Sequence, residues 1–167
     1  MLPDYLSPGL DILFCGTAAG PTSARLGHYY AKAGNRFWRL LAQTGLTARE
    51  MRPDEDHLLP GLGLGFTDLA KGVAGMDHAI PREAFEPARV AELVALWRPK
   101  AVAFTSLAAA RLATGDRHLG LGKIADAPWP GVVMWALSSP SGANVGFSAG
   151  SWHDLAAWRR GLSSHVG

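Results

Sequence analysis

The chain is 167 residues long, 48% hydrophobic and 18% charged, which is the size and composition of one globular domain and excludes a disordered segment. No apolar run approaches the about 20 residues that span a bilayer, and the start, MLPDYLSPGLD, lacks the basic-then-apolar order of a secretory signal, so a cytoplasmic protein is expected. A single cysteine, Cys15, excludes an intrachain disulfide, a multi-cysteine zinc site and a four-cysteine iron-sulfur cluster, while the net charge of +2 is unevenly spread.

Residues 12–48 hold Arg25, Lys32, Arg36 and Arg39 and no acid, residues 51–100 hold eight acids against six bases, and residues 127–153 carry no formal charge with His neutral. No repeat, linker or low-complexity tract divides the chain, so a single domain over 1–167 is expected.

The first predicted element is a buried strand over residues 11–15 (DILFC), ending in the glycine-rich turn Gly16–Gly20. A helix follows from Asn35, a capping residue, with Phe37, Trp38, Leu40 and Leu41 on its apolar face and Gly45 to close it. Residues 62–69 (LGLGFTDL) form a weaker strand candidate because of their glycines. Pro87 opens a second helix on which Val90, Leu93, Val94 and Trp97 share one face, and Pro99 stops it. A strand over 101–105 (AVAFT), a helix capped by Ser106 and running to Thr114, and a strand over 132–137 (VVMWAL) come next. Ser151 and Asp154 then resemble a capping box for a last helix, with Arg159 and Arg160 suited to its C-terminus. Alternating strands and helices of this kind predict a three-layer α/β/α fold around a mainly parallel sheet. Ligands of such sheets bind beyond the carboxyl ends of the strands. Three segments converge there: Gly16–Gly20, Thr67–Asp68 and Ser138–Asn144.

Taken alone these segments are ambiguous. Gly16-Thr17-Ala18-Ala19-Gly20 admits close approach of a ligand to backbone, yet it contains neither Gly-Lys-Ser/Thr nor GxGxxG, and an ordinary strand-to-helix turn explains it as well. Asp68 precedes Leu-Ala-Lys and suits either a helix cap or a general base. Lys71 reads as a phosphate contact or a solvated lysine, and Arg36 and Arg39 as phosphate contacts or a solvated helix face. The six histidines show no HxxxH spacing, so no metal site is expected.

In order, Gly16-x-x-x-Gly20, Gly27-His28-Tyr29-Tyr30-Ala31, Asn35-Arg36-Phe37-Trp38, the GFTDLAK segment and Pro140-Ser141-Gly142 resemble the mismatch-specific uracil/thymine DNA glycosylases of the uracil-DNA glycosylase superfamily over most of the chain. The resemblance implies a monomeric, cofactor-free enzyme that flips uracil or a related damaged base out of DNA and hydrolyses its N-glycosidic bond, because the reacting bond is inaccessible in a stacked duplex. It places Gly16, Thr17, Ala18, Ala19 and Gly20 along the base pocket, Tyr30 stacked on the base and His28 beside it. It implies that Pro140, Ser141, Gly142, Ala143 and Asn144 form a minor-groove loop with Ser139 as a donor to the leaving base, and local charge makes Arg25, Lys32, Arg36 and Arg39, helped by Arg111, the expected phosphate contacts.

Several positions depart from that family. Ala18 stands where its members carry the Asn or Asp that handles the attacking water, Ser139 where Asn or His is usual, Ala143 where a bulky wedge is usual and Val145 where Arg is usual. Asp68 is the expected replacement for the missing Asn or Asp, the alternative being catalysis by substrate destabilisation and leaving-group stabilisation alone; Val145 or Phe147 is the expected wedge, the alternative being weak reading of the opposite strand. Two other functions remain open at this level: a lesion or abasic-site binder that does not cut, favoured by Ala18 and Ala143, and an enzyme acting on free nucleotides.

Overall fold

The computed structural model of the chain describes residues 2–75 and 79–164, so residues 1, 76–78 and 165–167 of the expected domain lie outside the described residues. Five strands, β1 (Ile12–Ala19), β2 (Leu64–Ala74), β3 (Ala101–Phe104), β4 (Gly122–Lys123) and β5 (Val133–Ala136), form one sheet in the order β2-β1-β3-β5-β4. All neighbouring pairs are parallel except β4 with β5. Among the described residues five α-helices accompany it: α1 (Pro21–Leu26), α2 (Phe37–Thr44), α3 (Pro87–Trp97), α4 (Leu107–Thr114) and α5 (Gly150–Ser164). Among the described residues, none is long and apolar enough to cross a membrane.

Period-two alternation along β1 divides the interior into two layers. Ile12 and Phe14 point into a cluster completed by Phe37, Trp38 and Leu41 of α2, Phe66 of β2 and Trp152 and Leu155 of α5. Leu13 and Cys15 point into the opposite cluster, with Val90 and Val94 of α3, Ala109 and Ala110 of α4 and Phe104 of β3. The α/β/α expectation therefore holds, and Cys15 is a fully buried packing residue.

Most local signals appear where the sequence puts them. Asn35 Oδ1 accepts the Phe37 N–H at 2.9 Å, Ser106 Oγ accepts the Ala109 N–H at 3.0 Å, and Gly45 and Gly115 close their helices in the left-handed conformation.

Four details differ. The Gly16–Gly20 stretch is not a turn, because β1 continues to Ala19, with Gly16 opposite Asp68 and Ala18 opposite Ala70 on β2. Asp68 accordingly lies inside β2 and caps nothing. Ser151 does not cap α5, since the helix begins at Gly150 and the Ser151 hydroxyl accepts the Ser138 N–H at 3.1 Å. Arg159 and Arg160 staple α5 to the rest of the fold instead of serving its C-terminus: Arg159 pairs with Asp11 at 3.0 Å, and Arg160 donates to Thr44 O at 3.2 Å.

Candidate active site

Within β1, where Gly16 pairs with Asp68 of β2 and Thr105 has just left β3, the chain brings three oxygens around Gly16. A β-carbon added to Gly16 would lie 2.7 Å from Asp68 Oδ1 and 3.4 Å from both Thr105 Oγ1 and the Tyr30 hydroxyl. Any side chain at position 16 displaces the carboxylate, so the glycine is required by close approach.

Tyr30 is fixed on two sides. Its hydroxyl bonds Thr105 Oγ1 at 2.9 Å, and its ring stacks on Phe37 at 4.1 Å with 16° between planes. Its backbone is left-handed, φ 51°, a conformation a tyrosine holds only when its surroundings impose it. Those surroundings include Asp56, fully buried, whose carboxylate accepts the Tyr29 N–H at 3.0 Å and lies 3.3 Å from His28 Nδ1. His28 therefore anchors the loop to Asp56 through its Nδ1.

Asp68 is 4% exposed. Burial pushes its carboxyl above the usual range, and the Lys71 ammonium, 3.3 Å from Oδ2, opposes that rise without cancelling it. Lys71 is neither a solvated lysine nor free for phosphate: its Nζ also bonds the Tyr29 hydroxyl at 2.6 Å and Leu2 O at 3.1 Å and pairs with Asp4 at 3.2 Å. Burial also keeps the phenols of Tyr29 and Tyr30 and the thiol of Cys15 protonated well past their ordinary ranges.

The segment 138–148 follows β5 and packs against Gly34 and Arg36. Ser138 organises it. Its carbonyl accepts the Trp152 indole N–H at 2.8 Å, and its hydroxyl accepts the Ser148 N–H at 3.2 Å. Asn144 folds inward, its amide donating to Ser139 O at 2.9 Å. Arg36 runs beneath, donating to Ser141 O at 2.7 Å and lying 4.6 Å over the Phe147 ring, while its backbone N–H donates to Pro140 O. Gly142 packs against Gly34, whose carbonyl would stand 2.9 Å from an added β-carbon. The loop thus presents Ala143 and Val145 outward, and Val145 is completely exposed.

Among the expected site residues, Gly16, Tyr30 and Asp68 meet directly, Thr17, Ala18 and Ala19 continue the same strand end, and Gly20 leads into α1. Arg25, Lys32 and Arg39 are exposed, and Lys32 and Arg39 line a cleft of about 310 Å³ beside the Tyr30 loop. Asn144 and Arg36 serve the loop's own structure, and Arg111 donates to Leu119 O at 2.8 Å. Thr105 was not singled out in the sequence, although its place after the predicted strand AVAFT was the signal that strand ends line such sites. Asp56 carried no signal, because its partners are 27 and 28 residues away.

The five-stranded, mainly parallel sheet with its helices has a solved counterpart. The chain shares its fold with the solution NMR structure of a Methanosarcina acetivorans protein provisionally described as a uracil DNA glycosylase, at a TM-score of 0.69 and 24% identity over 97% of this chain and 96% of that one. The model of the Uracil DNA glycosylase superfamily matches residues 3–160. The chain belongs to that superfamily, a family of DNA glycosylases acting in DNA repair.

Proposed function

We propose that the protein is a monofunctional uracil-DNA glycosylase of the mismatch-specific type, or of a sister branch, that hydrolyses the bond between a flipped uracil and its deoxyribose. The observation that carries this reading is the convergence of Asp68, Thr105 and Tyr30 over Gly16. A flipped base stacks on the face of Tyr30 turned away from Phe37. The C1′–N1 bond breaks with its electron pair leaving on the uracil, whose negative charge is met by backbone N–H groups at Thr17–Gly20 and by Ser139. Water then adds to C1′ of the oxocarbenium-like sugar and gives its proton to the Asp68 carboxylate, leaving an abasic site. No Schiff base is involved, because the Lys71 ammonium is held by four oxygens. Asp68 thus replaces the side chain that Ala18 lacks, and no cofactor enters the scheme.

Val145 is the wedge in this reading. Phe147 is half-buried under Arg36, and Ala143 is too small to fill the gap left by a flipped nucleotide. Val145→Ser is expected to lower excision from duplex DNA about tenfold, since burying a valine is worth about 1.5–3 kcal/mol, and to leave excision from single strands unchanged. Arg25, Lys32 and Arg39 contact phosphates, so duplex affinity should fall steeply with salt, and a flat salt titration would remove them from the interface.

The direct test is release of free uracil from uracil-containing single- and double-stranded oligonucleotides, with thymine, hypoxanthine, xanthine and ethenocytosine substrates beside them. Ala18 favours one other reading, a protein that grips uracil or abasic DNA without cutting. Tight binding with no base release in a single turnover would establish that reading instead.

A further inference from the structure

Asp68 is gripped from behind by a strap that the reaction scheme does not use. Residues 2–5 run along the outer edge of β2, where Tyr5 and Phe66 exchange two backbone hydrogen bonds of 3.0 Å. That bridge sets Asp4 between two cations. One of its oxygens lies 3.2 Å from Lys71 Nζ, and the other accepts from Arg89 Nη1 of α3 at 2.9 Å. Both cations then reach Asp68. Lys71 pairs with its carboxylate at 3.3 Å, and Arg89 Nη2 donates to its backbone carbonyl at 2.7 Å and to Thr67 Oγ1 at 3.0 Å.

The pairing between β1 and β2 slips just there: Ala18 faces Ala70, but Ala19 faces Ala74. Residues 71–73 bulge out of the ladder, and a bulge re-aims side chains. Three elements far apart in sequence therefore close on one carboxylate.

We propose that Asp4, Lys71 and Arg89 form a buckle of positioning residues, in which Lys71 orients Asp68 so that Oδ1 faces Gly16 and keeps it charged, while Asp4 and Arg89 hold Lys71 and the strand in place. The buckle rests on the reading of Asp68 as the group that handles water. The groups facing Asp68 are Lys71 on its own strand, Cys15 on β1, Tyr29 and Tyr30 on the loop, Arg89 on α3 and Asp4 on the strap. Burial keeps Cys15, Tyr29 and Tyr30 neutral. Lys71 and Arg89 favour the ionised form of Asp68, and Asp4 disfavours it.

Those signs make the device testable. In Lys71→Met the acid limb of kcat/KM for uracil release from a single-stranded oligonucleotide moves to higher pH, and kcat falls about 10²-fold, the scale of a slightly misplaced reacting group, with KM little changed. In Asp4→Asn the limb moves to lower pH, because an anion opposing ionisation is gone, while kcat still falls as Lys71 loses an anchor. Lys71→Arg retains the charge and keeps the limb near that of the parent. A purely structural strap would lower activity in Lys71→Met and Asp4→Asn without separating their limbs in opposite directions, and that result overturns the proposal. If Lys71→Met does not fold, an unmoved limb in Asp4→Asn overturns it equally. Asp68→Asn run in parallel separates the two failures. Full activity there rejects the role of Asp68 and the buckle with it, whereas an inactive Asp68→Asn beside parent-like limbs in the other variants rejects the buckle alone.

Discussion

Asp68→Asn is expected to lower the rate of base release about 10²- to 10⁴-fold, the usual contribution of a positioned general base, while affinity for uracil-containing DNA stays near that of the parent. The amide keeps the shape of the carboxyl group but cannot take a proton from water. Single-turnover release of labelled uracil measures the rate, and gel-shift titration with the same oligonucleotide measures the affinity. The acid limb of the parent should sit above the ordinary aspartate range, because burial raises the Asp68 carboxyl and Lys71 only partly offsets it; the variant should lack that limb.

Stability should move the other way. A carboxyl whose pKa is raised by folding favours the folded state fully only below its unfolded value, and that contribution is lost as pH rises through the folded value. Asn resembles the protonated form at every pH. Asp68→Asn should therefore melt higher than the parent near neutrality, with the gap closing on acidification, a trade of stability against activity at a single residue. A variant that keeps the parental rate, or that melts lower than the parent at neutral pH, contradicts this account.

Trp152→Ala is expected to destabilise the fold by about 3–5 kcal/mol, the range for removing a large buried aromatic, and to impair duplex excision beyond what partial unfolding explains. Trp152 is fully buried, stacks on Phe14 at 6.1 Å and meets Phe37 edge-on at 5.8 Å. Its indole N–H is also the donor to Ser138 O, so one side chain ties the core to the loop that carries Val145. Trp152→Phe separates these contributions. It keeps most of the packing but leaves a buried carbonyl without its donor, at a cost of about 1–3 kcal/mol. Urea unfolding gives the stabilities, and the ratio of duplex to single-strand excision gives the effect on the loop. An unchanged ratio in Trp152→Phe would show that the loop is held without this bond.

Local patterning made the layers of the fold legible. Val90 and Val94 on one helix, Phe37, Leu40 and Leu41 on another, and the caps Ser106 and Gly115 are short-range signals, and the structure follows them; Asn35 bonds the Phe37 N–H from one residue ahead of the Arg36 N-cap. Strand ends were harder. Gly16, Ala18 and Ala19 have low strand propensity, yet pairing with β2 carries β1 through them, a tertiary override of local preference. That extension decides the site, because it sets Gly16 opposite Asp68. Asp68, Tyr30 and Gly16 were legible as candidates from motif order, but their meeting through Thr105 was not, since the Tyr30–Thr105 bond spans 75 residues. The 3-10 stretch Pro53–Leu62 and the short antiparallel β4 went unforeseen. The first is fixed by contacts such as Asp56 with the Tyr29 N–H, and two residues of β4 leave no periodicity to read.

The two faces of the sheet are built from different materials. On the side of α2 and α5 the buried cluster contains Phe14, Tyr29, Phe37, Trp38, Phe66, Trp135 and Trp152, whereas on the side of α3 and α4 the one fully buried aromatic among the described residues is Phe104, set among valines, alanines and leucines. Phe37 is both a core residue and the backing of the Tyr30 ring, so substitutions in the aromatic layer move that ring as they alter packing. Substitutions at Val90, Val94, Ala109 or Ala110 act across the sheet from those rings. The aromatic side therefore couples core packing to the placing of the Tyr30 ring, whereas the α3 side reaches Asp68 through Arg89.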